Sequence, residues 1–193
     1  MHKNEIQIFY PESLADWRTW LDANHHVERA VWLVFYSKSS GKATLTWSEA
    51  VDVALCFGWI DSKKVKAGDG SSHQFFSPRK SKSTWSKINK AKVDMLIKNG
   101  LMAEAGYRSI EVAKQNGSWN MLDEVEELVV PEDLAEKLNI NSDAYDFFQN
   151  SSKSVKKAIL QWIVLARRPE TRQKRIDEIV DFALKKQNPR HLQ

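Results

Sequence analysis

The sequence predicts an α+β fold: a small antiparallel sheet with helices in the N-terminal region, followed by an all-helical C-terminal region. Three observations lead there. β-branched and aromatic runs separated by turn residues are confined to the chain before Ser83, and from Ser83 onward apolar residues recur at helical spacing. Seven of the eight tryptophans also lie within residues 17–119. We therefore divide the chain into an α+β region with Trp-rich motifs at 1–119 and a helical region at 120–193. A chain of 193 residues, 42% hydrophobic and 28% charged, buries about two-thirds of its unfolded surface and needs no covalent staple.

Ile6–Tyr10 alternates as a short strand, and Ser13 is an N-cap with acidic Asp16 at N3, ahead of Leu14, Trp17 and Leu21 at helical spacing. Ala30–Tyr36 is the best strand in the chain, and Ser39–Lys42 is the turn after it. Thr46-Trp47-Ser48-Glu49 is a capping box, in which the Thr hydroxyl accepts from the N3 amide and Glu49 reaches back. The helix it opens places Trp47, Ala50, Val51, Ala54 and Leu55 on one face and stops at Gly58. Trp59–Asp61 and Ser72–Ser77 read as strands joined through Gly68-Asp69-Gly70. Trp85, Ile88, Ala91 and Met95 then form a helical stripe ending at Gly100, and a further helix runs from about Met102 to Asn116. Residues 118–131 are irregular and acidic; Pro131 and Ser142 introduce two short helices. The last two helices carry Val155, Ala158, Ile159, Trp162, Ile163 and Ala166, then Ile176, Ile179, Val180, Ala183 and Leu184.

The single cysteine, Cys56, excludes an internal disulfide and a multi-cysteine zinc site, and its apolar neighbours predict a buried thiol. No metal or other cofactor is expected, since there is no glycine-rich phosphate loop, dinucleotide fingerprint or HExxH motif. No apolar run reaches bilayer length, which predicts no membrane insertion. Glu5, Glu12 and Asp16 interrupt the N-terminal stretch where a signal peptide would be apolar, so a cytoplasmic protein is expected. The net charge of +4 hides segregation: −2 over residues 1–60, +7 over 61–100, −8 over 101–150 and +7 over 151–193. Such blocks mean either basic and acidic surfaces that meet within the fold or a basic surface kept for an anionic partner.

Two constellations carry chemistry. If the strands around residues 59–61 and 72–77 pair, Asp61 approaches Arg79, with Trp85 and Lys87 following directly. Arg79 offers a fork for phosphate or carboxylate, Lys87 a point charge, and Ser83 with the first turn of its helix a set of N–H donors. The four residues then line a pocket for a small anionic ligand, or Asp61 serves there as an acid or base, or Asp61 and Arg79 form a structural pair among core aromatics. The second constellation is basic: Lys156, Lys157, Arg167, Arg168, Arg172 and Arg175 crowd the junction of the last two helices. With the 63–98 lysines they are a candidate nucleic-acid surface, although part of the cluster suits a helix C-terminus. No standard RNA- or DNA-binding signature accompanies them, so a small ligand or a protein partner is the favoured reading.

ALCFGWIDS (54–62), FSPRKSKSTWSKIN (76–89), GLMAEAG (100–106) and WIVLARRPETRQKRI (162–176) together resemble the YdeI/OmpD-associated, or bacteriocin-protection, family of bacterial proteins. The motifs cover nearly the whole chain in order. The resemblance implies a stress-associated role in resistance to bacteriocins or antimicrobial peptides, by way of an outer-membrane porin. The family is largely uncharacterised and brings no catalytic residues with it.

Overall fold

The computed structural model describes residues 5–68 and 70–192, so Asp69 of the expected Gly68–Gly70 turn lies outside the described residues. The chain divides into two compact units, Met1–Trp119 and Asn120–Gln193.

The N-terminal unit runs β1 (Ile8–Phe9), α1 (Leu14–Asn24), β2 (Val31–Tyr36), α2 (Trp47–Cys56), β3 (Trp59–Lys66), β4 (Ser71–Pro78), α3 (Lys87–Lys98) and α4 (Glu104–Gln115). Its sheet has the order β1-β2-β4-β3. β2, β4 and β3 pair antiparallel, as expected; β1 joins the edge in parallel, making the sheet mixed. β3 and β4 are longer than the sequence indicated, and β3 slips register between Asp61 and Lys64. Alternation sets the two faces. Val31, Leu33 and Phe35 of β2, Trp59 of β3 and Phe76 of β4 point inward, where they join Trp17, Leu21, Ala50, Val51, Ala54 and Leu55 from α1 and α2 in one core.

The expected capping box of Thr46 with Glu49 forms, and the expected N-cap Ser13 goes further, making a second capping box with Asp16. Phe57 is the C-cap of α2 and Gly58 follows at φ +71°, so α2 ends where the sequence placed its stop. Trp47 departs from its predicted face: it is 54% exposed while Ala50, Val51, Ala54 and Leu55 are buried. The third helix also differs from the expected stripe. It begins after the N-cap Ser86, and its buried residues are Val93 and Leu96, while Ile88 is 68% and Met95 48% exposed. Trp85 precedes the helix, although it shares the core with Val93 and Leu96, so the spacing from Trp85 to Ile88 has no helical meaning.

The C-terminal unit contains α5 (Asp123–Glu126), α6 (Glu132–Asn139), α7 (Ser142–Asn150), α8 (Lys153–Val164) and α9 (Pro169–Leu184). Pro131 serves as N-cap of α6 and Asn141, one residue earlier than expected, caps α7 by accepting from the Asp143 and Ala144 amides. Ile159, Leu160 and Ile163 of α8 meet Ile176, Ile179 and Ala183 of α9 in a second core, with Leu134, Leu138 and Phe148. No described helix is long and apolar enough to cross a membrane.

Candidate functional site

The sequence placed Asp61 against Arg79, and the fold separates their side chains. Asp61 sits on the inward face of β3, where its Oδ2 accepts from Trp47 Nε1 at 2.9 Å and from Gln74 Nε2 at 3.0 Å. Arg79 lies beyond the end of β4, its backbone N–H bonded to the Gly58 carbonyl. Its guanidinium stacks on Trp85, 3.8 Å from the ring centroid, and Nη2 donates to the Thr84 carbonyl at 2.6 Å. Nε and Nη1 are buried and find no partner among the described residues. Burial pushes the guanidinium down to about 10, opposed by the Asp61 charge; it remains a cation at neutral pH. Asp61 and Arg79 are not among the ion pairs of the described residues; the Asp61 Oδ2 is engaged by the indole and the amide instead. Trp85 also packs on the partly buried Trp119, with centroids 4.9 Å apart and the rings tilted at 48°, so Arg79, Trp85 and Trp119 form one contact series. Lys87 opens α3 on the surface, and the helix is capped by Ser86, so Ser83 offers no helical N–H group. None of Asp61, Arg79, Trp85 and Lys87 lines a described cavity.

What Asp61 does hold is the wall of one. A cleft of about 670 Å³ opens at one end of the sheet, between the ends of β2 and β3, the start of β4 and the first residues of α2. Phe35, Tyr36, Leu45 and Trp47 give it apolar walls, Gln74 a polar group, and Lys38, Lys64 and Lys66 its charge. The ion pairs recorded among the described residues leave all three lysines without a carboxylate partner. Glu49 closes the N-terminus of α2: its carboxylate accepts from the Thr46 amide at 2.9 Å and hydroxyl at 2.6 Å, which lowers its pKa. An anion in the cleft would therefore be met by lysine ammonium groups and not by the helix end. Lys64 and Lys66 share a strand face at i and i+2, a signal the sequence carried and our reading of it passed over. Cys56 is buried, and burial pushes its thiol pKa up, as a structural cysteine requires. No group of three or more His, Cys, Asp or Glu among the described residues is arranged to hold a metal.

Residues 9–109, more than half of the chain, match the family described as Domain of unknown function (DUF8412). Residues 127–185 match the family described as Bacteriocin-protection, YdeI or OmpD-Associated. The chain belongs to the first family, and its C-terminal side is similar to the second over residues 127–185. No curated protein and no solved structure matches it.

The C-terminal unit uses most of its predicted basic cluster internally. Arg172 forks onto Asp133 at 2.6 and 2.9 Å, and Lys157 pairs with Glu126. Lys156 donates to the Gln149 carbonyl at 2.7 Å, and Arg175 donates to the Trp162 carbonyl while lying 5.0 Å from that ring. Arg167 and Arg168 remain exposed. Glu126 and Asp133 of the acidic block thus pair with basic residues of the last block within this unit. The pairing is visible in pH dependence. Hydrogen bonds from Arg172 hold the Asp133 carboxyl below its ordinary pKa. A carboxylate depressed in the fold contributes stability above its unfolded pKa and loses it as pH falls through the folded one. Replacing Arg172 by Met should cost this unit about 1 kcal/mol or less at pH 7, given the partial exposure of the pair. The gap between the melting curves of the two proteins should shrink as pH falls through the depressed pKa of Asp133; a gap that does not change with pH would remove the ion pair as its source.

Proposed function

We propose that the N-terminal unit binds a small anionic molecule with a flat apolar part in the cleft of Lys38, Lys64, Lys66 and Trp47. The observation that carries this reading is the convergence of three lysines, free of carboxylate partners among the described residues, on an aromatic-walled cleft large enough for a small organic ligand. Lysine supplies charge without imposed geometry, and an exposed indole held by a carboxylate supplies a rigid stacking surface. Asp61 acts here as a positioning residue, which supports binding over acid–base catalysis. The bacteriocin-protection description of the C-terminal family supports resistance to such peptides as the setting of this binding.

Naphthalene-1-sulfonate is a suitable probe, with neutral naphthalene-1-methanol as its counterpart. The sulfonate should shift the indole N–H resonance of Trp47 saturably in a heteronuclear NMR titration, and the neutral analogue should not. Lys38→Ala/Lys64→Ala/Lys66→Ala should weaken sulfonate binding at least about tenfold, since each charge-assisted contact contributes on the order of 1 kcal/mol. Equal binding of both probes, or an unchanged affinity in the triple variant, rejects the reading.

A further inference from the structure

The opposite face of the same sheet carries a second, independent arrangement. Trp32 of β2 and Phe75 of β4 are cross-strand partners pointing away from the core, half-buried, with rings T-shaped at 4.9 Å. Lys63, at the register slip of β3, sits 5.2 Å from each ring centroid. Beside them runs a groove of about 920 Å³, floored by Ile60, Ser62, Phe75 and Ser77 and bounded by the 25–29 segment and by Lys80 and Ser83. Arg29, Lys63 and Lys80 give this face three cations that enter none of the ion pairs recorded among the described residues, against one carboxylate, Glu28. Whereas the acidic block finds basic partners in the C-terminal unit, these cations of the N-terminal unit keep their charge.

We propose that this sheet face is a platform for single-stranded nucleic acid, with bases stacked on Trp32 and Phe75 and phosphates met by Arg29, Lys63 and Lys80. A sheet surface presenting adjacent aromatic rings is a general solution for splayed bases, and stacking tolerates any sequence because every base has a π-face. Paired bases in a duplex keep their faces covered, so the platform selects single strands. The lysine over the two rings is displaced onto the backbone phosphate when a base takes its place. An acidic peptide would satisfy the cations but would leave the ring pair unused, which favours nucleic acid as the occupant.

Fluorescence anisotropy of labelled dT8 with the full chain tests this. Binding should be saturable at 50 mM salt and about 20-fold weaker at 200 mM, the dependence expected for three phosphate contacts to a single strand. An eight-base-pair duplex should bind at least tenfold more weakly. Trp32→Leu and Phe75→Leu should each lower dT8 affinity about tenfold, with an unchanged circular-dichroism spectrum and cooperative melting as evidence of an intact fold. Should either variant fail to fold, the surface changes Arg29→Ala and Lys63→Ala give the same decision, with an expected loss of about threefold or more each and a shallower salt slope. No binding at 50 mM salt, equal affinity for the duplex, or displacement of dT8 by a glutamate decamer at equal concentration would each overturn the proposal. Because the sulfonate reports the cleft and dT8 the sheet face, either site can fail without the other.

Discussion

Gly106→Ala lowers the stability of the N-terminal unit by about 3 kcal/mol, the range of overpacking in a close-packed interior. In an exposed helix the same change would stabilise by up to about 1 kcal/mol, because alanine is the better helix former. The sign reverses here because α4 runs directly over the C-terminal end of α2. The Ala103 amide donates to the Cys56 carbonyl at 3.0 Å, and a β-carbon on Gly106 would fall inside contact distance of that same carbonyl oxygen and of Met102 Cε. The methionine end can swing away; the backbone carbonyl cannot without moving the α2–β3 junction. Gly58, in that junction, is constrained twice: its φ is +71°, and an added β-carbon would stand 3.0 Å from the Ala105 carbonyl oxygen and from Ser109 Cβ. Urea unfolding of Gly106→Ala, with exposed Gly68→Ala for comparison, where an added β-carbon meets open space, reads the effect. If Gly106→Ala proves neutral or stabilising, the close approach of α4 to α2 is wrong.

These two glycines show what a single sequence conceals. Both belong to motifs that also carried the family resemblance, but nothing in their spacing tells that one helix crosses another at that point. Local signals fared better. Ser13 and Thr46 announced their helices because a cap is satisfied within three residues. The α3 stripe failed because periodicity was counted from Trp85, which stands before the N-cap Ser86 and is not part of the helix that follows. The expected Asp61–Arg79 approach has a similar story, while Arg79 and Trp85 do meet. Strand pairing brought Asp61 opposite Phe76, as the hairpin implied, yet a tryptophan fourteen residues earlier reached the carboxylate first. Competition among polar partners is a tertiary matter that spacing does not record. Segment charges were legible as a pattern and gained meaning only when Glu126 and Asp133 were found on Lys157 and Arg172.

The Arg79–Trp85 stack gives the second large effect. Trp85→Ala should destabilise the N-terminal unit by about 4 kcal/mol, since Trp85 is 2% exposed and its removal leaves a large cavity beside Trp119. Part of that loss comes from Arg79, a buried cation whose Nε and Nη1 lack partners among the described residues and whose charge rests on the indole face. Arg79→Met on its own should change stability by only about 1 kcal/mol, because losing the ring and the Thr84 carbonyl contact is offset by relief of the desolvated charge. In the Trp85→Ala background the ring is gone, the cation is buried without its face, and Arg79→Met should become stabilising. The double-mutant cycle should therefore give a coupling of about 1–2 kcal/mol, the range of a desolvated cation–π contact. Trp85→Phe keeps a ring face and should retain part of that coupling, which separates the π contact from simple cavity filling. Additive effects across the cycle would mean that Arg79 is held by its surroundings in general and that Trp85 contributes only volume.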